Sequence, residues 1–146
     1  MKLKSNLIQD EIVFKVEFYD VDSMQIVWHG NYVKYMEKAR CSLLEGIGYG
    51  YLDMERTGYA FPLVDIKFKY IRSLHFGEHC RVKSTLVEYE NCIKIKYEFI
   101  CEETGLVTTK AESTQMCVRM SDGVTCFVCP DVFLNCVKEK LNEKNS

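Results

Sequence analysis

From residue 11 the chain reads EIVFKVEF, which sets Ile12, Phe14, Val16 and Phe18 on one face and Glu11, Val13, Lys15 and Glu17 on the other. That period of two marks a half-buried strand, so a first strand is expected over 11–18. From residue 31 the period changes. In NYVKYMEKARCSLLE, Tyr32, Tyr35, Met36, Ala39 and Leu43 recur at three- and four-residue spacing, with Lys34, Lys38 and Ser42 opposite. The spacing predicts one long helix over 31–45, which Gly46 or Gly48 can end. Strand patterns return over 60–70, 79–88, 92–101 and 106–120, and CIKIKYEFIC alternates almost without a break. The connections Glu90-Asn91, Glu103-Thr104-Gly105 and Ser121-Asp122-Gly123 leave no room for a crossover helix, so these strands should pair antiparallel. A short strand over 125–128, Pro130 and a weak helix over 131–141 complete the pattern.

A strand, a helix with a broad apolar stripe and then four or five antiparallel strands describe an α+β domain in which one sheet covers one helix. Tyr32, Tyr35, Met36 and Ala39 read as the core beneath that sheet. At 146 residues the chain is large enough for one core and too small for two, so residues 1–146 are expected to form a single domain.

Charge narrows the list of partners. The 19 basic and 21 acidic residues are interspersed and leave a net charge of -2, so there is no footprint for nucleic acid. Lys67, Lys69 and Arg72 make a local basic group, a candidate to hold a small anionic cofactor, with a solvated strand face as the plainer reading. No apolar run reaches the ~18 residues of a membrane span, and MKLKSNLIQDEIVF interrupts its apolar residues with charge, unlike a signal peptide. The expected location is cytoplasmic. In that reducing compartment the eight cysteines read mostly as core positions. Cys126 and Cys129 in CFVCP lack the second pair or histidines of a metal site and the βαβ setting of a thioredoxin-like one, so no metal is expected. There is no G-x-S-x-G elbow, GIGYGY follows a helix and reads as its end, and His75 and His79 read as surface groups.

Candidate chemistry gathers in YDVDSMQIVWHGNY, residues 19–32. On residue chemistry alone, Asp20 and Asp22 suit a turn or a cap, and Gly30 suits a tight turn or the close approach of a substrate. Asn31 suits a helix cap, although Lys34 three residues later supplies no capping box. The same stretch resembles the signature of the 4-hydroxybenzoyl-CoA thioesterase family of hotdog-fold proteins. The matching residues are the pair Asp20-Val21-Asp22, the apolar Ile26-Val27, the aromatic pair Trp28-His29, and Asn31-Tyr32 opening the helix. His29 followed by YVKYMEKAR is most similar to the branch that includes the bacterial Tol-Pal-associated enzymes. The similarity continues through FPLVDIKFKYIRSLHFGEHCRVKSTL to Pro130.

The resemblance implies a hotdog fold, an antiparallel sheet wrapped around one long central helix. It also implies hydrolysis of an acyl-CoA thioester to free acid and CoA. No cofactor is expected, since CoA is part of the substrate. Asp22 would be the catalytic carboxylate, attacking the carbonyl or deprotonating a water, and the backbone N–H at position 29 would bind the oxyanion. The unpaired N–H groups and positive end of a helix suit that charge. The His29 side chain would be a general base or a packing and orienting group, while Asp20 keeps a structural role. Trp28, Gly30 and Asn31 would contact substrate, with Phe61, Val64 and Lys67 of the second strand as the acyl wall. Family members assemble as dimers or tetramers with shared acyl sites, and exposed sheet edges independently favour a homodimer or homotetramer. The alternative on the same fold is a non-catalytic module that binds an acyl thioester or a protein partner. A dehydratase would want a histidine facing a carboxylate across the pocket and is disfavoured.

Overall fold

A computed structural model describes residues 7–145. Residues 1–6, which include the start of the segment read as no signal peptide, lie outside the described residues. Strand β1 (Ile8–Lys15) begins and ends earlier than its alternation predicts. Val16 leaves the ladder because its N–H donates to the Glu78 carbonyl at 2.8 Å and its own carbonyl accepts from Gly77 N–H at 3.1 Å. The chain then winds into a 3-10 turn over Phe18–Asp20, so Phe18, expected on the buried face, is 73% exposed.

Helix α1 (Asn31–Ile47) buries the predicted stripe and extends it through Leu44 and Ile47. It ends at Gly48, whose φ of 94° is cheap only for glycine, and the Tyr49 N–H returns to the Leu44 carbonyl at 3.0 Å. A short helix, α2 (Tyr51–Thr57), follows. Its two turns are too brief to show a period, and the sequence reading missed it.

The expected second strand divides in two. β2 (Tyr59–Ala60) and β3 (Leu63–Tyr70) are separated by Phe61-Pro62, because proline has no N–H to give a ladder. The Pro62 carbonyl instead accepts Met116 N–H at 3.2 Å, where the expected 106–120 strand also breaks. That strand becomes β6 (Val107–Gln115) and β7 (Cys117–Arg119), after β4 (His79–Glu88) and β5 (Ile93–Cys101) and before β8 (Val124–Cys126). The main sheet runs β1-β4-β5-β6-β3, antiparallel throughout, and β2-β7-β8 form a second, small sheet.

Helix α1 lies on this sheet, with the Tyr35 ring 4.5 Å from Phe14 and Tyr32 5.4 Å from Phe99. The result is the expected α+β hotdog arrangement. The C-terminal helix α3 (Asp131–Asn145) is longer than predicted. It buries Phe133 and Val137 completely, and Phe133 packs 5.5 Å from Tyr49. All eight cysteines are free thiols, and burial pushes those of Cys80, Cys117 and Cys129 up to about 12, which leaves them inert.

One connection matters most for the site. The loop over 21–28, between the 3-10 turn and α1, is strapped to the segment after β3. Val27 N–H donates to the Leu74 carbonyl at 2.8 Å, Phe76 N–H donates to Gln25 at 3.0 Å, and Ile26 bridges His75. Gln25 holds a φ of 63°, a left-handed conformation that a non-glycine residue adopts only where its surroundings impose it.

Candidate active site

Asp22 opens the strapped loop. Its N–H donates to the Ile26 carbonyl at 2.9 Å, and its Oδ1 accepts the N–H groups of Met24 at 2.9 Å and Ile26 at 3.4 Å. One oxygen closes a turn, as the turn reading expects, and Oδ2 takes no hydrogen bond among the described residues. The side chain is exposed and borders a cavity of about 300 Å3. The cavity is also lined by Ile26, Trp28, His29 and Tyr32 from the helix start, and by Tyr70, Arg72 and Ser73 from the end of β3.

Asp20 is turned the other way, with 5% of its surface exposed. Its Oδ2 accepts Glu17 N–H at 3.1 Å and its Oδ1 lies 3.8 Å from Lys34 Nζ. Its carbonyl accepts Trp28 N–H at 3.1 Å and Asn31 Nδ2 at 2.7 Å. Asp20 thus anchors the helix start from below, the structural role expected of it. The Tyr35 hydroxyl is buried beside it, and burial together with the adjacent Asp20 carboxylate pushes its pKa up.

The first turn of α1 has no side-chain cap. Asn31 spends its amide on Asp20 instead of capping. The Trp28, His29 and Gly30 carbonyls accept from Asn31, Tyr32 and Val33 at 2.8, 3.2 and 3.3 Å. The N–H groups of His29 and Gly30 have no acceptor among the described residues. Two consecutive donors at the positive end of a 17-residue helix are a place for an anion. The His29 ring is exposed and makes no hydrogen bond to Asp22; it lies 5.0 Å from the Trp28 ring and 6.3 Å from Tyr70. Gly30 does permit a close approach, by the Trp28 indole: a Cβ there would stand 2.1 Å from Trp28 Cζ3.

The other predicted residues are placed elsewhere in the chain. Phe61 is buried, gives its carbonyl to Gln115 Nε2 at 2.7 Å and borders a separate, largely apolar cavity of about 540 Å3. Val64 is exposed at the bulge of β3. Lys67 sits beside Lys69, Lys96 and Lys110 in a shallow groove, apart from the Asp22 cavity, whereas Arg72, grouped with it in sequence, lines that cavity. Arg72 has no carboxylate partner among the described residues. Sequence reasoning assigned no site role to Tyr70 or Ser73, which reach the cavity from a segment more than forty residues away in the chain.

A family model described as "Thioesterase-like superfamily" matches residues 16–138. A protein of Bacillus subtilis (strain 168), YneP, named as a candidate acyl-CoA thioesterase, is 37% identical over 105 residues, 71% of this chain and 75% of that one. Among solved structures, a DHNA-CoA thioesterase from Staphylococcus aureus superposes with a TM-score of 0.79 at 23% identity, covering 94% of this chain and 91% of that one. The Staphylococcus aureus protein SAV2348, solved in complex with CoA, gives a TM-score of 0.81 at 14% identity, covering 93% and 84%. At these identities the two structures bear on the fold.

Proposed function

The chain belongs to the thioesterase-like superfamily, and from that premise we propose that it hydrolyses an acyl-CoA thioester to a free carboxylate and CoA. The observation that carries the reading is the meeting at one cavity of Asp22 and His29, whose N–H is unpaired among the described residues and is followed at the helix N-cap by the unpaired N–H of Gly30. A thioester carbonyl seated against His29 and Gly30 would gain its negative charge on attack beside these unpaired N–H donors. Such a donor, when removed from an acyl-transfer site, costs on the order of 10²–10³ in rate. Asp22 Oδ2 supplies the attack in one of two ways that use the same atoms. It adds to the carbonyl and expels CoA thiolate, leaving an anhydride for water to open, or it takes a proton from a water that adds instead. The D-x-D pair and the helix start favour the 4-hydroxybenzoyl-CoA thioesterase branch of the superfamily.

The second subunit belongs to the same proposal. β3 is an edge strand, and Val64, Ile66, Tyr70 and Ile71 along and beyond it are exposed. Two copies joined at this edge in a closed dimer must run antiparallel, because a two-fold axis relates them. The Tyr70 end of one β3 then meets the Leu63 end of the other. That pairing brings the partner's Phe61 and Val64 toward the Asp22 cavity, the acyl wall that one chain does not build alone.

Hydrolysis of short, long and aromatic acyl-CoAs, followed by mass spectrometry, tests the reading; thiol reagents would report the protein's own cysteines. Wild type is expected to release CoA. Asp22→Asn keeps an oxygen for the Met24 N–H, so the variant should stay folded while losing at least ~100-fold in rate. An inactive wild type gives the lead to the non-catalytic binding module, and an Asp22→Asn variant at full rate returns Asp22 to the role of a turn residue.

A further inference from the structure

The His29–Gly30 peptide carries one of the two free N–H groups, and its carbonyl end is held by two donors. One is the Tyr32 N–H at 3.2 Å, an ordinary bond of the helix start. The other is a side chain from across the cavity, the Tyr70 hydroxyl at 3.1 Å. We propose that Tyr70 is a positioning residue of the oxyanion site, holding His29 by its carbonyl so that the His29 N–H keeps its place at the cavity. This rests on the hydrolase reading above and adds a residue to it.

Three features support the assignment. The grip is on the residue whose N–H was assigned to the oxyanion: His29 lines the cavity, and its carbonyl accepts the Tyr70 hydroxyl. The neighbouring Trp28–His29 peptide is restrained likewise, its carbonyl accepting Asn31 N–H at 2.8 Å while the His29 N–H stays free. The first turn is otherwise unsupported by side-chain caps, so Tyr70 is the side chain that restrains this peptide plane. The Tyr70 ring is itself steadied, stacked 5.8 Å from Phe68 at 8° and set edge-on to Tyr32 at 5.3 Å.

Catalysis gains only from interactions that strengthen in the transition state, so loss of a positioning bond should appear in kcat. Tyr70→Phe keeps the ring and its packing and removes only the donor. Its kcat is expected to fall about 3- to 10-fold, the value of one net hydrogen bond, with KM within about twofold, and with melting temperature and oligomeric state unchanged. A change confined to KM, or an unchanged kcat in an active enzyme, overturns the inference alone. A fall in kcat accompanied by a lower melting temperature assigns Tyr70 to structure and overturns it too. If the wild type turns over no acyl-CoA, the hydrolase reading fails first and takes this one with it.

Discussion

Gly30 is a glycine for reasons of room. Its φ of -65° and ψ of -23° are open to any residue, but the Trp28 indole occupies the space a Cβ would need. Gly30→Ala must therefore push the indole aside, and it does so at the N-cap, where alanine is disfavoured relative to glycine. Trp28 is the one tryptophan of the chain, so its emission reports this displacement directly. Gly30→Ala is expected to shift the emission to the red, to lower the melting temperature slightly, and to lose about tenfold or more in kcat/KM through a misplaced wall. An unshifted spectrum with full activity would show that the indole is not part of the site. At this scale the sequence was legible where chemistry is local. Asp22, Trp28, His29, Gly30 and Asn31 lie within ten residues, and their motif is readable as a string. Tyr70 and Arg72 carry no such signal, because only the return of β3 to the helix start makes them neighbours of Asp22.

Elements were legible where they are long. α1 and the alternating strands β4, β5 and β6 bury the faces their periods predict, because packing against one core enforces a single face. The misreadings are short or set by tertiary hydrogen bonds: the early end of β1 at the Glu78 carbonyl, the two-turn α2, and the paired breaks at Pro62 and Met116. One strap at the sheet end has a measurable consequence. Glu103, in the turn after β5, accepts both the His79 N–H at 2.9 Å and His79 Nδ1 at 2.7 Å, and these bonds lower its pKa from 4.5 to about 2. A carboxyl with a depressed folded pKa contributes stability that is complete above its unfolded value and is lost as pH falls through the folded one. The melting temperature of wild type should therefore decline more steeply between pH 4.5 and about 2 than that of Glu103→Gln. Parallel curves in thermal scans across that window would remove the strap from the account.

For the whole molecule the decisive feature is the open edge of β3. An unpaired strand edge exposes a row of N–H and C=O groups that invites pairing, and here Val64 is 57% and Ile66 40% exposed along it. The Asp22 cavity lies at one end of this strand and the 540 Å3 cavity beside Phe61 and Pro62 at the other. In the antiparallel dimer proposed above, the two kinds of cavity meet twice, once on each side of the axis. Phe61 and Val64, which a single chain keeps apart from Asp22, then serve the partner's site. On that proposal, residues read together from sequence are separated within one chain because they serve different copies of the site, and activity is expected to depend on association. A lysine on a strand edge opposes edge-to-edge pairing, and Val64 stands at a bulge where its side chain is exposed in the monomer. Val64→Lys is expected to sediment as a monomer, to melt cooperatively as a folded protein, and to lose acyl-CoA hydrolysis although Asp22, His29 and Tyr70 are intact. A folded monomer with full activity would confine the site to one chain, and an unchanged oligomer would place the contact elsewhere than β3.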